Sequence, residues 1–347
     1  MNFQDSVRTN SANQTWRSLR DFDGAAFLSQ IYAQWQFRYS DKLIINTGLF
    51  SQWFSLNDTY ALEPRANLRY SISPKLNFNL GLGRHSRIQD LQLYLTQTEV
   101  GLETIETNRE LEMTRSNHAV VGLEYQISKD WKTKIEAYVQ GISNAPIEQK
   151  SSTYSSLNEG ADFSIPSRDS LVNDGTGSNY GLEFTLERSF DKGFYLLSTI
   201  SVFSSTYEGS DNITRSTAFD NGYVANVLLG KEFKIGKKLN LGLDTRITSA
   251  GGRLYTPIDL EKSIQQDEEV RIRSRAFEGK LPDYFRADIK FFLRWNGKKT
   301  TQSWSLDLQN AFDNQNVFSR SYDRSKQEVV DTFQLGRFPV VEYKINF

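Results

Sequence analysis

Cysteine is absent from the 347 residues and only two histidines occur, His85 and His118. Disulfides and thiolate metal sites are thereby excluded, and a multi-histidine metal centre has too few ligands, so no metal and no cofactor is expected. No run of 18 or more apolar residues occurs, which excludes a transmembrane helix. An excess of either charge is also missing: 41 basic residues face 42 acidic ones, for a formal charge of −1. That balance provides no field for nucleic acid, and no nucleic-acid partner is expected. The first residues, Met1-Asn2-Phe3-Gln4-Asp5-Ser6, lack the basic and apolar regions of a secretory leader. The expectation is a mature form with an added Met1 or a piece of a longer chain.

Aromatic residues are plentiful: 23 Phe, 16 Tyr and 6 Trp in a chain whose mean hydropathy is −0.54. A chain rich in aromatics yet polar on average suits a membrane β-barrel, where only alternate residues meet lipid. The segment from Phe285 to Trp295 displays the pattern. One face reads Phe285, Ala287, Ile289, Phe291, Leu293 and Trp295; the other reads Arg286, Asp288, Lys290, Phe292 and Arg294. A period of two over this length is a strand between an apolar and a polar medium.

Thirteen such segments are predicted, near 24–39, 42–54, 64–72, 76–84, 118–127, 131–142, 179–189, 194–204, 222–234, 238–249, 283–295, 300–312 and 336–347. Lys231 falls in phase with apolar Val227 and Leu229, which fits a membrane boundary. Short turns alternate with long loops. The turns are Ser40-Asp41, Ser73-Pro74-Lys75, Ser128-Lys129-Asp130, Asp191-Lys192-Gly193, Gly236-Lys237 and Asn296-Gly297-Lys298; the loops are polar and lie near 55–63, 85–117, 143–178, 205–221, 250–281 and 313–335. All turns then share one end and all loops the other, as in outer-membrane barrels with short periplasmic turns. Aromatics gather at the turn end, at Phe37, Tyr39, Tyr70, Tyr125, Trp131, Phe190, Phe194, Phe233, Trp295 and Trp304, forming an expected girdle. A soluble antiparallel protein also alternates apolar and polar residues, but requires neither strict turn–loop alternation nor turn-end aromatics.

Parity adds a constraint. The last strand ends on the turn side, so the first of thirteen begins on the loop side, whereas single-chain bacterial barrels have even strand numbers with both termini periplasmic. The expectation is the C-terminal part of a larger barrel, with residues 1–23, polar and without alternation, left from an extracellular loop and residues 24–347 forming barrel.

Several stretches resemble the C-terminal barrel region of TonB-dependent outer-membrane receptors, particularly those of the Bacteroidota. They are Leu62-Glu63-Pro64-Arg65-Ala66-Asn67-Leu68-Arg69-Tyr70, Asn179-Tyr180-Gly181-Leu182-Glu183-Phe184-Thr185-Leu186-Glu187-Arg188, Arg215-Ser216-Thr217-Ala218-Phe219-Asp220, Gly251-Gly252-Arg253-Leu254-Tyr255-Thr256-Pro257-Ile258-Asp259 and Leu281-Pro282-Asp283-Tyr284-Phe285-Arg286-Ala287-Asp288. Leu308-Gln309-Asn310-Ala311-Phe312-Asp313 is similar to a segment of the penultimate family strand, and the chain closes on aromatic Phe347. The resemblance runs from about 24 to 347. It implies an all-β, transmembrane antiparallel barrel with part of the wall of a 22-stranded barrel present and an N-terminal plug domain absent from these residues.

What the resemblance implies for function is energised uptake of a scarce nutrient, with TonB remodelling the plug. TonB is expected as a partner through the N-terminal region, alongside the plug, membrane lipid and lipopolysaccharide, and a surface lipoprotein as in nutrient-uptake receptors of the same bacteria. Glu136, Glu183, Asp244, Arg246, Arg286, Asp288 and Lys290 point to the lumen, as plug contacts or as pairs across neighbouring strands. The partners of Lys290 are expected outside this sequence. Tyr154, Tyr207, Arg253, Tyr255 and Tyr322 are the loop residues suited to substrate contact. Asp267-Glu268-Glu269 lacks the spacing of a calcium loop and reads as a solvated tip. A passive porin is the alternative. A barrel enzyme is not expected: His85 and His118, with Ser86 and Ser116 nearby, have no triad spacing.

Overall fold

The computed structural model describes residues 2–8, 16–101, 103–160 and 168–347. Thirteen antiparallel strands build one sheet: β1 Leu28–Arg38, β2 Leu43–Phe54, β3 Thr59–Ser73, β4 Leu76–Arg87, β5 Thr114–Gln126, β6 Trp131–Glu148, β7 Leu171–Asp191, β8 Phe194–Glu208, β9 Tyr223–Ile235, β10 Leu239–Ala250, β11 Tyr284–Asn296, β12 Thr301–Gln309 and β13 Phe338–Asn346. Each pairs with its neighbours in chain order, and the short strand Thr214–Ser216 adds to β8. Among the described residues β1 and β13 do not pair with each other, so the sheet is open and these strands are its edges.

Register preserves the alternation from strand to strand. Across β10 and β11, Asp244 faces Lys290, Thr245 faces Ile289 and Arg246 faces Asp288; across β11 and β12, Lys290 faces Asp307. One face of the sheet is therefore polar throughout this region. The other exposes Ile31 at 74%, Trp35 at 68% and Val341 at 81%, among many large apolar side chains. A soluble sandwich would bury such a surface; a membrane wall presents it to lipid.

The strands outrun the apolar alternation. β3 begins at Thr59 rather than near 64, β6 extends to Glu148, and β7 starts at Leu171. Beyond the lipid no apolar face is required, yet the backbone ladder continues. The expected loop at 55–63 is in fact a tight turn, Ser55–Asp58, with Asp58 at φ 57°, so this connection breaks the turn–loop alternation. β12 stops at Gln309 because Asn310 turns away at φ 48°. At the other end, Asn2–Arg8 pairs with Trp16–Asp23 as a separate hairpin, a structure the lack of alternation there did not suggest.

The packed apolar core lies above the wall, at the long-loop end. It joins Phe54 at the end of β2, Leu56 of the Ser55–Asp58 turn, Ala61, the loop residues Leu93, Tyr94, Leu95, Leu111 and Met113, and Leu171. The short helix α1, Leu91–Tyr94, contributes two of these. Phe22 of the N-terminal hairpin packs on this cluster, and buried Arg20 binds Asp5 at 2.7 Å and the Gln92 carbonyl at 2.8 Å.

Candidate functional site

The polar face carries its large side chains over glycines of adjacent strands. Phe292 lies where a Cβ on Gly242 would be, at 2.0 Å; Tyr195 does the same at Gly230 and Tyr138 at Gly181. Glycine here gives the neighbouring ring a flat backbone to lie on. Phe292 is thus 8% exposed on a polar face, and the Arg294 guanidinium sits 5.2 Å from its centroid.

Three groups of charge stand on this face. Asp288, 6% exposed, accepts Arg246 Nη2 at 2.5 Å, Arg286 Nε at 2.7 Å and the Asn310 backbone N–H at 2.9 Å. A buried carboxylate with donors from three residues, Arg246 also donating through Nε at 3.1 Å, braces β10, β11 and the end of β12. Below it, a cleft of about 210 Å³ is lined by Tyr195, Glu232, Asp244, Lys290, Arg294 and Glu342 among others. There Tyr195 donates to Asp244 at 2.9 Å, Arg294 reaches Glu232 at 3.3 Å and Lys290 stands 3.6 Å from Glu342. Lys290 therefore has its partner within the chain, on β13 and 52 positions away, contrary to the expectation that its partners lie outside. In the third group Glu136 and Glu183 face each other in register on β6 and β7. Lys134 binds Glu136 at 2.6 Å, while among the described residues Glu183 receives only the long Ser201 hydrogen bond of 3.5 Å.

The two histidines, distant in sequence, meet on this face with rings stacked at 4.6 Å. Beside them Glu63, 1% exposed, accepts Gln52 Nε2, the Ser86 N–H and Arg65 Nη2, each at 2.7 Å. The Glu63-Pro64-Arg65 stretch of the sequence is thus a brace between β2, β3 and β4. The sequence pattern does not single out this node, nor Tyr195 and Glu232, and it places Glu342 only on the polar face of the last strand. Their only signal was period-two phase with residues already assigned to the lumen.

Loop residues occupy more interior positions than expected. Tyr207 is 1% exposed and donates to the Thr153 carbonyl at 2.9 Å; its ring meets Phe277 edge-on at 6.1 Å. Tyr154 packs on the apolar core, with Arg168 5.3 Å from its ring. Burial, and secondarily the Glu159 carboxylate, push its hydroxyl well above the ordinary tyrosine range. Tyr322 is also buried, and its backbone N–H donates to Glu269 at 3.0 Å. Glu269 also binds Arg271 at 2.7 Å, so the acidic run is a loop brace at this residue rather than a solvated tip throughout. Among the described residues no group of His, Cys, Asp or Glu is arranged to hold a metal.

Tyr255 and Arg253 sit toward the open side. Arg320 grips Asp331 through two hydrogen bonds of 2.7 and 2.8 Å and donates to Tyr255 Oη at 2.8 Å. Hydrogen bonding to Asp331 raises the Arg320 value, and the same bonds hold the Asp331 carboxyl below the carboxylate range. These residues line a cleft of about 360 Å³ with Pro257, Ile258 and Val329. Arg253 Nη1 lies 3.5 Å from the Phe318 carbonyl. The preceding Gly251 and Gly252 let the backbone pass close to two neighbouring segments: Cβ atoms there would fall 1.8 Å from the Asn221 carbonyl oxygen and 1.7 Å from that of Leu281.

The girdle residues follow the turn end of the apolar face. Tyr39, Tyr70, Tyr125, Phe233 and Trp304 are all exposed, and Trp304 packs on Tyr343 at 5.5 Å. Phe190 departs from it: the pairing shifts after Arg188, and the ring stands 6.4 Å from Tyr195 on the polar face.

A family model described as TonB dependent receptor-like, beta-barrel, matches residues 2–328. No curated protein matches the sequence. Among solved structures, the outer membrane transporter YddB from Escherichia coli is similar with a TM-score of 0.66 at 14% identity, covering 98% of this chain and 48% of that one. The ferric preacinetobactin receptor BauA from Acinetobacter baumannii gives 0.62 at 11% identity, with 96% and 44% covered. The ferric yersiniabactin uptake receptor FyuA from Yersinia pestis gives 0.60 at 13% identity, with 92% and 45% covered. The chain spans about half the length of these transporter and receptor structures.

Proposed function

The chain belongs to the TonB-dependent receptor β-barrel family and is an outer-membrane protein, and from that premise we propose that it forms wall and extracellular face of a receptor for TonB-dependent uptake of a scarce nutrient. The observation that carries the reading is the two-sided open sheet. Its apolar face suits lipid, with lipopolysaccharide around the long-loop end, and its polar face suits an enclosed protein domain. Further strands pairing with β1 and β13 close the wall, and the polar face then encloses a plug that TonB displaces.

Two classes of polar residue divide this work. Asp288 with Arg246 and Arg286 stiffens the wall, because its carboxylate is already saturated with donors. Glu183, opposed by Glu136 and weakly bonded, is the group suited to a cationic side chain of the plug. In the loops, Tyr154, Tyr207 and Tyr322 hold the assembly from within, whereas Tyr255 borders the open cleft and, with Arg253 two positions before it, is suited to substrate contact. Iron chelates are the first substrate class to test, since FyuA and BauA are named for ferric chelates.

The test is uptake by cells carrying the receptor with and without functional TonB. Nutrient-limited growth that requires both the receptor and TonB is expected. Receptor-dependent uptake that persists without TonB contradicts the proposal and identifies a passive pore.

A further inference from the structure

The girdle-end turns and the loop end differ in the cation they favour. All six turns at the girdle end carry lysine and none carries arginine: Lys42, Lys75, Lys129 and Lys192 occur singly. Lys237 with Lys238, and Lys298 with Lys299, occur as pairs in consecutive turns. Arginine prevails at the opposite end, where several are taken up in ion pairs. Arg109 binds Glu106, Arg115 binds Glu112, Arg215 binds Asp211 and Arg320 binds Asp331, all within 3.1 Å.

The turn lysines are not used in this way. Among the described residues no carboxylate comes within 4.0 Å of any of these eight ammonium groups, although Asp41, Asp130 and Asp191 share their turns. Eight cations against three anions leave the rim positive on a chain whose overall charge is −1. The rim's depth is set independently by the aromatic girdle, which lies at the interface just inside the turns. Lys231 illustrates the level: it starts on the apolar face beside Phe233 and reaches the Lys192 carbonyl at 3.1 Å, as a snorkelling lysine does.

We propose that this lysine rim binds the head groups of anionic phospholipids in the leaflet it faces, most densely from the β7–β8 turn to the β12 end of the β11–β12 turn. The inference rests on the outer-membrane reading. Compact ammonium groups on flexible stems reach phosphate oxygens at the bilayer surface without a fixed geometry, whereas the arginine forks at the other end are locked onto carboxylates. Near an anionic surface each lysine contributes about fivefold in affinity, the equivalent of about 1 kcal/mol. The charge is distributed over neighbouring turns, so the ligand is a ring of head groups rather than one molecule in a pocket.

The experiment uses the full-length receptor reconstituted into vesicles of phosphatidylethanolamine with or without phosphatidylglycerol. Heat-modifiable gel migration reports insertion, and native mass spectrometry reports retained lipid. The wild type is expected to retain phosphatidylglycerol over phosphatidylethanolamine. A variant combining Lys192→Gln, Lys237→Gln, Lys238→Gln, Lys298→Gln and Lys299→Gln should insert but lose the preference, and the corresponding Lys→Arg set should keep it. Lys262→Gln, Lys280→Gln and Lys326→Gln, at the loop end and already paired with carboxylates, should change nothing. Equal retention of both lipids by the wild type, or unchanged phosphatidylglycerol retention by the glutamine variant, overturns the proposal. So does a rim that ignores phosphatidylglycerol but sediments with purified peptidoglycan. A receptor that inserts into neither vesicle contradicts the outer-membrane reading itself.

Discussion

The wall and the loop assembly above it are stabilised by opposite means. In the loop assembly Tyr94, Leu95 and Met113 are at most 1% exposed, and apolar contact there replaces water as in any globular core. In the wall the large apolar side chains point outward, Ile31 and Val341 being mostly exposed, and the interior face holds ion pairs. Lipid outside and polar contents inside leave the wall no core of its own. Its coherence comes from the backbone ladder, which satisfies the N–H and C=O groups between neighbouring strands across the hydrocarbon layer, and from polar braces such as Asp288. The lesson is that one chain can obey both packing rules, provided that a change of solvent separates them.

This contrast can be broken by substitution, beginning with the core. Leu95→Ala should destabilise the loop assembly by about 2–5 kcal/mol through lost burial and a residual cavity. Limited proteolysis should then cut within 88–113 while heat-modifiable migration of the wall persists; loss of the folded wall would show that the two regions are one unit. On the wall, Ile289→Arg should cost about 2–4 kcal/mol, because it brings a charge to the lipid face near mid-membrane, measured by urea unfolding in vesicles. In soluble antiparallel sheets an exposed isoleucine would accept arginine almost without effect.

A smaller effect tests the loop braces. Arg320 depresses the Asp331 carboxyl below its ordinary value of 3.8, so the native state binds that proton less tightly than the unfolded chain. The stabilisation is therefore complete above the unfolded value and lost as pH falls through the lower folded one. Asp331→Asn should cost about 1–2 kcal/mol at neutral pH, between exposed and buried pairs. It should also flatten the acid-side loss of loop order, followed by hydrogen exchange across the hairpin Val317–Asp323 and Glu328–Phe333. The smallest change expected is Lys290→Gln, under about 1 kcal/mol, since its contact with Glu342 is 3.6 Å and half-exposed. Adjacent residues 289 and 290 should thus differ severalfold in their tolerance.

The same division governs what could be read from sequence. Strands crossing lipid were legible because only alternate residues may be polar, and the thirteen wall strands match thirteen periodic segments. Legibility failed where the solvent on both faces is water: there β3, β6 and β7 continue without alternation. Pro64, a residue that usually marks a strand limit, stands inside β3 opposite Leu49, which hid the strand's true start at Thr59. The loop core carried a faint signal in Leu91, Leu93, Tyr94 and Leu95, but helical turns and bends gave it no sustained period. Among candidate residues, phase placed Asp244, Asp288 and Lys290 on one face, yet nothing along the chain could announce that Glu342 would stand beside Lys290. Tyrosine chemistry alone suits Tyr207 and Tyr322 to substrate contact, yet both are buried, because their surroundings come from other loops.

The absence of cysteine makes the central claim directly measurable. Single cysteines placed in turn from 285 to 295 of β11, in the full-length receptor in vesicles, report which face each side chain occupies. A two-residue period is predicted, with positions 287, 289, 291 and 293 shielded from a water-soluble maleimide and quenched by lipid-borne probes, and 286, 288, 290 and 294 showing lower lipid quenching. Equal lipid quenching on both sets, or quenching of the even set instead, would contradict a membrane wall with its charged face turned inward.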